Sequence, residues 1–290
     1  MNRKLIMVFL STLMIMAVFQ TAVAHEDEAA TPLTVKPTKV TKSIALDGKE
    51  DDWEAAGVGE TAVTLTKNGG SATRDAIVRI AYNDSWVSVA YIISDSNQMN
   101  LSSHHLSPAV GVEWAIDADA GPHMGTEGGV TTGMVDIWHW ELEHEMGYVH
   151  NPNNSTGGHG NNGLDDEWAN STTNRHDDTK ESSLWGTYGY IADESEWIFE
   201  FSRPLTTGDA QDVQFKDNAS FKLGLAYWDP SDSENGWSGS GHYISITEHE
   251  WITVDFGTVP TSSSTGTAPG FGLFIALIAI FAIPILRKKY

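Results

Sequence analysis

A methionine on a glycine-flanked loop is the residue best placed for chemistry in this sequence. Met124 lies in a Gly-Pro-His-Met-Gly segment between two strand-like runs, Val110–Asp117 and Met134–Trp140. A methionine at the end of a strand can present its thioether to a soft partner. Because the chain has no obvious catalytic motif, this stretch is the leading candidate for chemistry.

Histidines provide a second set of metal-binding side chains. His139 and His144 flank two glutamates, but the order is not His-Glu-x-x-His and no helix is expected there, so a zinc protease site is unsupported. Histidines in loops with carboxylates can hold zinc or copper. The long polar segment Glu141–Lys180 therefore leaves a His/carboxylate metal-binding protein as one hypothesis.

An acidic turn near the start of the globular region offers hard oxygen ligands. Asp47–Trp53 reads Asp-Gly-Lys-Glu-Asp-Asp-Trp, in which Asp-Gly favours a turn. Its carboxylates could bind calcium, although they lack the regular spacing of a calcium loop. Trp53 is expected to pack under the turn.

Composition excludes several classes of site. The 290 residues contain no cysteine, which excludes disulfides, zinc–thiolate sites, iron–sulfur clusters and c-type haem attachment. The formal charge of −22 disfavours nucleic acid and anionic lipid headgroups as partners. No nucleophile elbow, P-loop or dinucleotide-binding motif is present, so we expect a protein that is not an enzyme.

The hydrophobic pattern predicts one all-β domain spanning 43–257. About ten short strands and no convincing amphipathic helix favour an antiparallel β-sandwich. Within Trp86–Ile93 both faces are apolar, as expected for a strand in the middle of such a sandwich. The predicted strands are Ser43–Leu46, Ala62–Thr66, Asp75–Tyr82, Trp86–Ile93, Val110–Asp117, Met134–Trp140, Leu184–Ala192, Glu196–Ser202, Ser220–Trp228, His242–Thr247 and Trp251–Phe256.

The two ends of the chain predict export and tethering. Residues 1–24 read as a signal peptide with an Ala-Val-Ala cleavage site, and 25–42 as a linker. Residues 258–268 form a Thr/Ser/Gly linker, and 269–290 an apolar segment with a basic end. This tail resembles the archaeal Pro-Gly-Phe sorting signal, which is removed and replaced by a lipid; a plain transmembrane anchor is the alternative. Either predicts an extracytoplasmic domain, anchored to the membrane at its C-terminus.

Three ordered motifs resemble one family. They begin at Asp47 (Asp-Gly-Lys-Glu-Asp-Asp-Trp), Val112 (Val-Glu-Trp-Ala-Ile-Asp) and Trp197 (Trp-Ile-Phe-Glu-Phe-Ser-Arg-Pro-Leu). Together they are similar to the haem-binding subunit of ethylbenzene dehydrogenase and to DOMON-like and carbohydrate-binding family 9 β-sandwiches. The resemblance implies a sandwich that holds one b-type haem between a methionine and a lysine and passes electrons.

The resemblance also implies site residues. Met124 stands at the family's axial methionine. Where the family has its lysine, this chain has Gly241-His242-Tyr243, so His242 or Tyr243 would supply the second ligand. Trp138 and Trp140 could wall the haem pocket or pack in the core, and Met124 could instead pack on them.

These observations predict an exported, membrane-tethered electron-transfer protein that carries haem b and has an unidentified redox partner. Two alternatives remain open: an extracellular carbohydrate-binding module, in which some of the 11 tryptophans stack on a glycan, and the His/carboxylate metal-binding protein. Haem absorbs visible light and a sugar module is colourless, so a spectrum separates the first two.

Overall fold

The computed structural model describes residues 32–100, 103–121, 132–141, 163–170, 175–178, 182–238, 241–246 and 250–257. The predicted signal peptide, the C-terminal segment and Met124 lie outside these ranges. Among the residues within them, no helix is both long and apolar enough to cross a bilayer.

The described part of the chain forms fourteen strands joined by turns and short helices. The helix α1 covers Asp51–Ala55, and 3-10 turns cover His104–Leu106 and Pro230–Asp232. The strands are β1 (Thr34–Val35), β2 (Thr38–Lys39), β3 (Thr61–Lys67), β4 (Thr73–Tyr82), β5 (Trp86–Ser94), β6 (Ala109–Ala115), β7 (Met134–Glu141), β8 (Leu164–Asn170), β9 (Arg175–Asp177), β10 (Trp185–Ile191), β11 (Glu196–Pro204), β12 (Ser220–Trp228), β13 (Tyr243–Ile244) and β14 (Ile252–Asp255).

One curled sheet folds back on itself to make a sandwich. The strand order is β10-β11-β5-β4-β3-β13-β12-β6-β7-β8-β9. We call β10 to β3 layer A and β13 to β9 layer B. Neighbours along this path pair antiparallel, while β1 on β14 and β2 on β4 are parallel additions. The predicted all-β antiparallel sandwich is therefore confirmed.

The main core lies between the two layers because side chains alternate along each strand. Val89 of β5 and Trp138 of β7 both belong to it, and the rings of Trp138 and Phe201 approach to 6.1 Å across the interior. The opposite face of β5 is also buried, with Ala90 packing in a second cluster that contains Trp53 of α1. The prediction that β5 is buried on both sides is thus confirmed, as is the burial of Trp53.

Several elements differ from the sequence-based expectation. The strands β1 and β2 fall within the predicted linker, and Val35 reaches the core. The predicted strand Ser43–Leu46 is irregular, because its segment leads into α1. Strands β8 and β9 lie inside the segment predicted to be a polar loop. Acidic residues are depleted in strands, which hides this pairing from a propensity-based prediction.

Candidate functional site

A buried carboxylate fixes the segment that covers the outer face of layer A. Glu200 of β11 is fully buried, and its Oε1 accepts a 2.6 Å hydrogen bond from Nε1 of Trp53. Its Oε2 accepts from the backbone N–H groups of Asp47 (2.9 Å) and Gly48 (2.6 Å). Burial raises the pKa of Glu200 to about 7, although these N–H donors act in the opposite direction. The Asp-Gly-Lys-Glu-Asp-Asp-Trp motif is thereby explained as a cap on the sheet.

Two glycines let this cap touch the edge strand β10. A Cβ on Gly189 would lie 2.0 Å from the carbonyl oxygen of Gly48, and Gly48 itself has a φ of +70°. Any larger side chain at Gly189 would therefore push the cap away from the sheet. The contact positions the acidic residues that follow Gly48 beside the end of β10.

An open cavity of about 580 Å³ lies at this junction. Carboxylates dominate its lining, Lys49 is its basic residue, and Tyr190 contributes an aromatic side chain. Such a lining can accept hydrogen bonds from hydroxyl groups or attract a cation, and it repels anions. The lining carboxylates are Asp47, Glu50, Asp51, Glu54 and Glu194.

In the acidic turn that suggested calcium, Oδ1 of Asp52 is buried without a hydrogen-bond partner among the described residues, but several other oxygens have donors. Three carboxylate oxygens, one each from Asp47, Asp52 and Glu200, lie within 4.8 Å of one another. Both oxygens of Glu200 accept N–H groups, however, and Oδ2 of Asp52 accepts the backbone N–H of Ala45 at 2.5 Å. Calcium at this turn remains a prediction.

Two half-buried tryptophans lie at the other end of the same outer face. The rings of Trp86 and Trp185 approach to 6.1 Å with an interplanar angle of 89°. Each begins a strand, β5 and β10, and strand β11 runs between them. Beside them the hydroxyls of Ser88 and Ser202 lie 2.9 Å apart. Both serines are buried, and their hydroxyls are paired with each other and with the carbonyl of Val87, so the partly exposed rings are the groups that can meet a ligand here. Such rings suit a ligand with an apolar face.

Trp138 and Trp140, which the resemblance placed at a haem pocket, are fully buried in the core. The guanidinium of Arg203 lies 5.0 Å from the Trp138 ring centroid. Trp140 makes an edge contact with Tyr188 at 5.4 Å. Both side chains have the core-packing role that was the alternative in the sequence analysis.

His242 and Tyr243 point to opposite sides of layer B. The His242 ring stacks on Trp228 at 4.8 Å, on the outer face. Tyr243 packs in the core, where Lys67 lies 5.6 Å from its ring centroid. Met124 lies outside the described residues, and His242 and Tyr243 were alternatives for the second ligand, so haem binding remains a prediction.

The outer face of layer B carries a network of histidine, carboxylates and arginine. His139 is buried, and its Nδ1 lies 4.0 Å from Oε2 of Glu167 and 3.8 Å from Oε1 of Glu141. Nη1 of Arg175 lies 3.2 Å from that Nδ1 and 3.2 Å from the same Glu167 oxygen. The Arg175 guanidinium lies beside both the imidazole nitrogen and Glu167, so this grouping is an ion-pair network. Metal binding by the wider segment 141–180 remains a prediction.

Sequence reasoning missed a cluster of buried charges. Asp136, Asp166, Asp212 and Arg203 come together at the interface of the two layers, with side chains no more than 3% exposed. The available signal was the acidic Asp136 inside an otherwise apolar strand, since a charge at such a position needs a partner.

No protein-family model matches the chain, and the search of characterised proteins gave no match. Among solved structures, a family 9 carbohydrate-binding module from Caldicellulosiruptor kristjanssonii in complex with glucose is 9% identical, with a TM-score of 0.40, covering 77% of this chain and 94% of that one. A family 9 module from the same organism in complex with cellotriose is 10% identical, with a TM-score of 0.42, and the match covers 82% of this chain and 100% of that one. A candidate carbohydrate-binding protein from Bacteroides uniformis is 10% identical, with a TM-score of 0.47, covering 78% and 100%. At these values the comparisons assign neither a family nor a ligand to this chain.

Proposed function

We propose that this protein is an extracytoplasmic carbohydrate-binding module that holds a glycan on the outer face of layer A. The observation that carries the proposal is the pair of half-buried rings, Trp86 and Trp185, 6.1 Å apart. Pyranose rings have apolar C–H faces, which can stack on indole rings.

The exposure of these two residues distinguishes them from most tryptophans of the core. Trp53, Trp114, Trp138, Trp140 and Trp197 are no more than 1% exposed. A core tryptophan contributes its whole surface to folding, whereas a half-buried one keeps part of its ring available to a partner. Trp86 and Trp185 are therefore better placed than those five to bind a ligand.

Electrostatics restrict the class of glycan. The acidic cavity lies on the same outer face, and the chain carries a formal charge of −22. An anionic glycan would be repelled on approach. We therefore propose a neutral oligosaccharide as the ligand.

The test is binding of the full chain to immobilised neutral oligosaccharides (β-glucan, xylan and mannan series), followed by calorimetry with any glycan retained. We expect Trp86→Ala and Trp185→Ala each to weaken binding by roughly 30-fold, the effect of losing one aromatic anchor.

Trp168→Ala provides the matched control. Trp168 is also half-buried, but it lies on β8 of layer B, stacked on His176. This variant should bind like the wild type. Retention of no neutral glycan, or equal losses in all three variants, would overturn the proposal.

A further inference from the structure

One arginine bridges the two layers of the sandwich inside the protein. Arg203 of β11 is fully buried, and its Nη2 lies 2.5 Å from Oδ2 of Asp136 on β7. Its Nη1 lies 3.0 Å from Oδ1 of Asp212 and 3.6 Å from Oδ1 of Asp166 on β8. Layer A thus supplies one cation, while layer B and the segment after β11 supply three carboxylates.

The charges of this cluster do not balance when all three carboxyls are ionised. One guanidinium faces Asp136, Asp166 and Asp212, whose side chains are 0%, 2% and 3% exposed, which leaves two negative charges in excess. An uncompensated charge in a protein interior is unfavourable by several kcal/mol. Either protons or a further cation must therefore compensate the cluster.

One oxygen of the cluster lacks a partner. Oδ2 of Asp136 accepts hydrogen bonds from Arg203 and from the backbone N–H of Val213 at 2.9 Å. Oδ1 of Asp136 is buried without a hydrogen-bond partner among the described residues. A buried carboxylate oxygen normally has a donor or a metal ion. This orphan oxygen is independent of the charge count and also points to a missing ligand.

We propose that Asp136, Asp166 and Asp212 bind a divalent cation, and that the cation is Ca²⁺. A ligand atom from each carboxylate lies within 4.8 Å of those of the other two. That spacing fits Ca²⁺–oxygen distances of about 2.3–2.6 Å. The ligands are hard oxygens without imidazole or thiolate, which disfavours copper and zinc.

The two positive charges of a divalent ion would balance the two excess negative charges of the cluster. Ser183 lies beside the site, with its Oγ 3.3 Å from Oδ2 of Asp212, and water can complete the shell. The ion would join β7 and β8 to the segments that carry Ser183 and Asp212, and so stabilise the interface of the layers. This site is distinct from the acidic turn at Asp47, where both oxygens of the buried Glu200 already accept N–H groups.

Protonation of the carboxyl groups is the alternative way to remove the excess negative charge of the cluster. Burial raises the pKa of both Asp136 and Asp166, and this effect outweighs the positive charge of Arg203, which lowers both pKa values. The negative charge of Asp212, in the segment after β11, raises both pKa values further.

The test begins with the full chain freed of metal by a chelator and dialysed against CaCl₂ at pH 8. We expect uptake of one strongly held Ca²⁺ and, at about 100 times Kd, a rise in Tm of roughly 5–10 °C. Asp166→Asn, which keeps the side-chain volume, should abolish both effects. Asp47→Asn should leave them unchanged and controls for the acidic turn.

A second measurement keeps the test decisive if Asp166→Asn does not fold. Tb³⁺ bound to the cluster should show luminescence excited through Trp138, which lies beside Arg203, and Ca²⁺ should displace it. This signal should persist in Asp47→Asn. No calcium uptake by the wild type, uptake that survives Asp166→Asn, or uptake and luminescence lost only in Asp47→Asn would each overturn the proposal.

Discussion

The indole N–H of Trp53 donates a 2.6 Å hydrogen bond to Oε1 of Glu200, and both side chains are fully buried. This bond joins the helix α1 to strand β11 of layer A. Because Trp53 also packs on Ala90 and Ile198, one side chain provides both apolar burial and the donor that Glu200 needs.

Replacement of Trp53 by phenylalanine should separate these two roles. Trp53→Phe keeps much of the apolar surface but leaves Oε1 of Glu200 without its donor. An unsatisfied buried acceptor lowers the free energy of unfolding by about 1–3 kcal/mol. Urea denaturation measures the loss. The double variant Trp53→Phe/Glu200→Gln should be less unstable than the sum of the single changes, and strict additivity would contradict the proposed pairing.

The raised pKa of Glu200 predicts how stability depends on pH. Its pKa is about 7 in the folded protein, against about 4.3 for an unfolded chain. Between these values the folded state binds more protons, so this group's stabilising contribution is complete below about pH 4 and is lost as the pH rises through 7.

Urea midpoints measured from pH 4 to 8 check this sign. The free energy of unfolding of the wild type should fall with pH relative to that of Glu200→Gln. Glu54→Gln, a change at an exposed side chain of α1, should follow the wild type. Equal slopes for wild type and Glu200→Gln would refute the assignment.

The contact between Gly48 and Gly189 predicts a sharp steric limit. Ala at Gly189 would place its Cβ 2.0 Å from a backbone oxygen, so the cap must shift. We expect Gly189→Ala to lower the free energy of unfolding by about 1–3 kcal/mol. Gly59→Ala is the matched control, since a Cβ at Gly59 meets nothing within 4 Å. Loss of stability in the control alone would show that the contact is wrong.

Arg203 should be indispensable at neutral pH. Arg203→Met leaves three buried carboxylates without their guanidinium, and breaking such a cluster lowers the free energy of unfolding by about 3–5 kcal/mol. Adding Asp136→Asn should restore part of that loss, because the substitution removes one of the uncompensated charges. Thermal unfolding of the wild type, both single variants and the double variant measures the coupling. No restoration would contradict direct pairing of Arg203 with Asp136.

Strands with clear alternation could be predicted from the sequence. In β5, Val87, Val89 and Tyr91 alternate with Ser88 and Ala90, and the structure buries both sets. The pattern can be recognised in the sequence because β-branched and aromatic residues repeat at every second position. The large number of such strand-like runs predicted the β-sandwich.

The charged interior could not be predicted in the same way. Asp166 resembles a loop residue in sequence, and it is buried because Arg203 reaches it from the other layer. Such pairing depends on which strands face each other, and local pattern does not encode this. Trp86 was likewise indistinguishable from a core tryptophan, since it shares a face with Ala90 and Ile92.

The haem that the sequence resemblance implied can be tested by visible absorption. Trp138 and Trp140 are fully buried in the packed core, and the ring of His242 stacks on Trp228. We therefore expect the full chain, purified from a host supplied with haem, to show no Soret band before or after dithionite or on added hemin. A Soret band with sharp reduced α and β bands, lost in Met124→Leu, would instead establish haem binding and overturn the carbohydrate proposal. Trp168→Ala should leave either spectrum unchanged and controls for general damage to the sandwich.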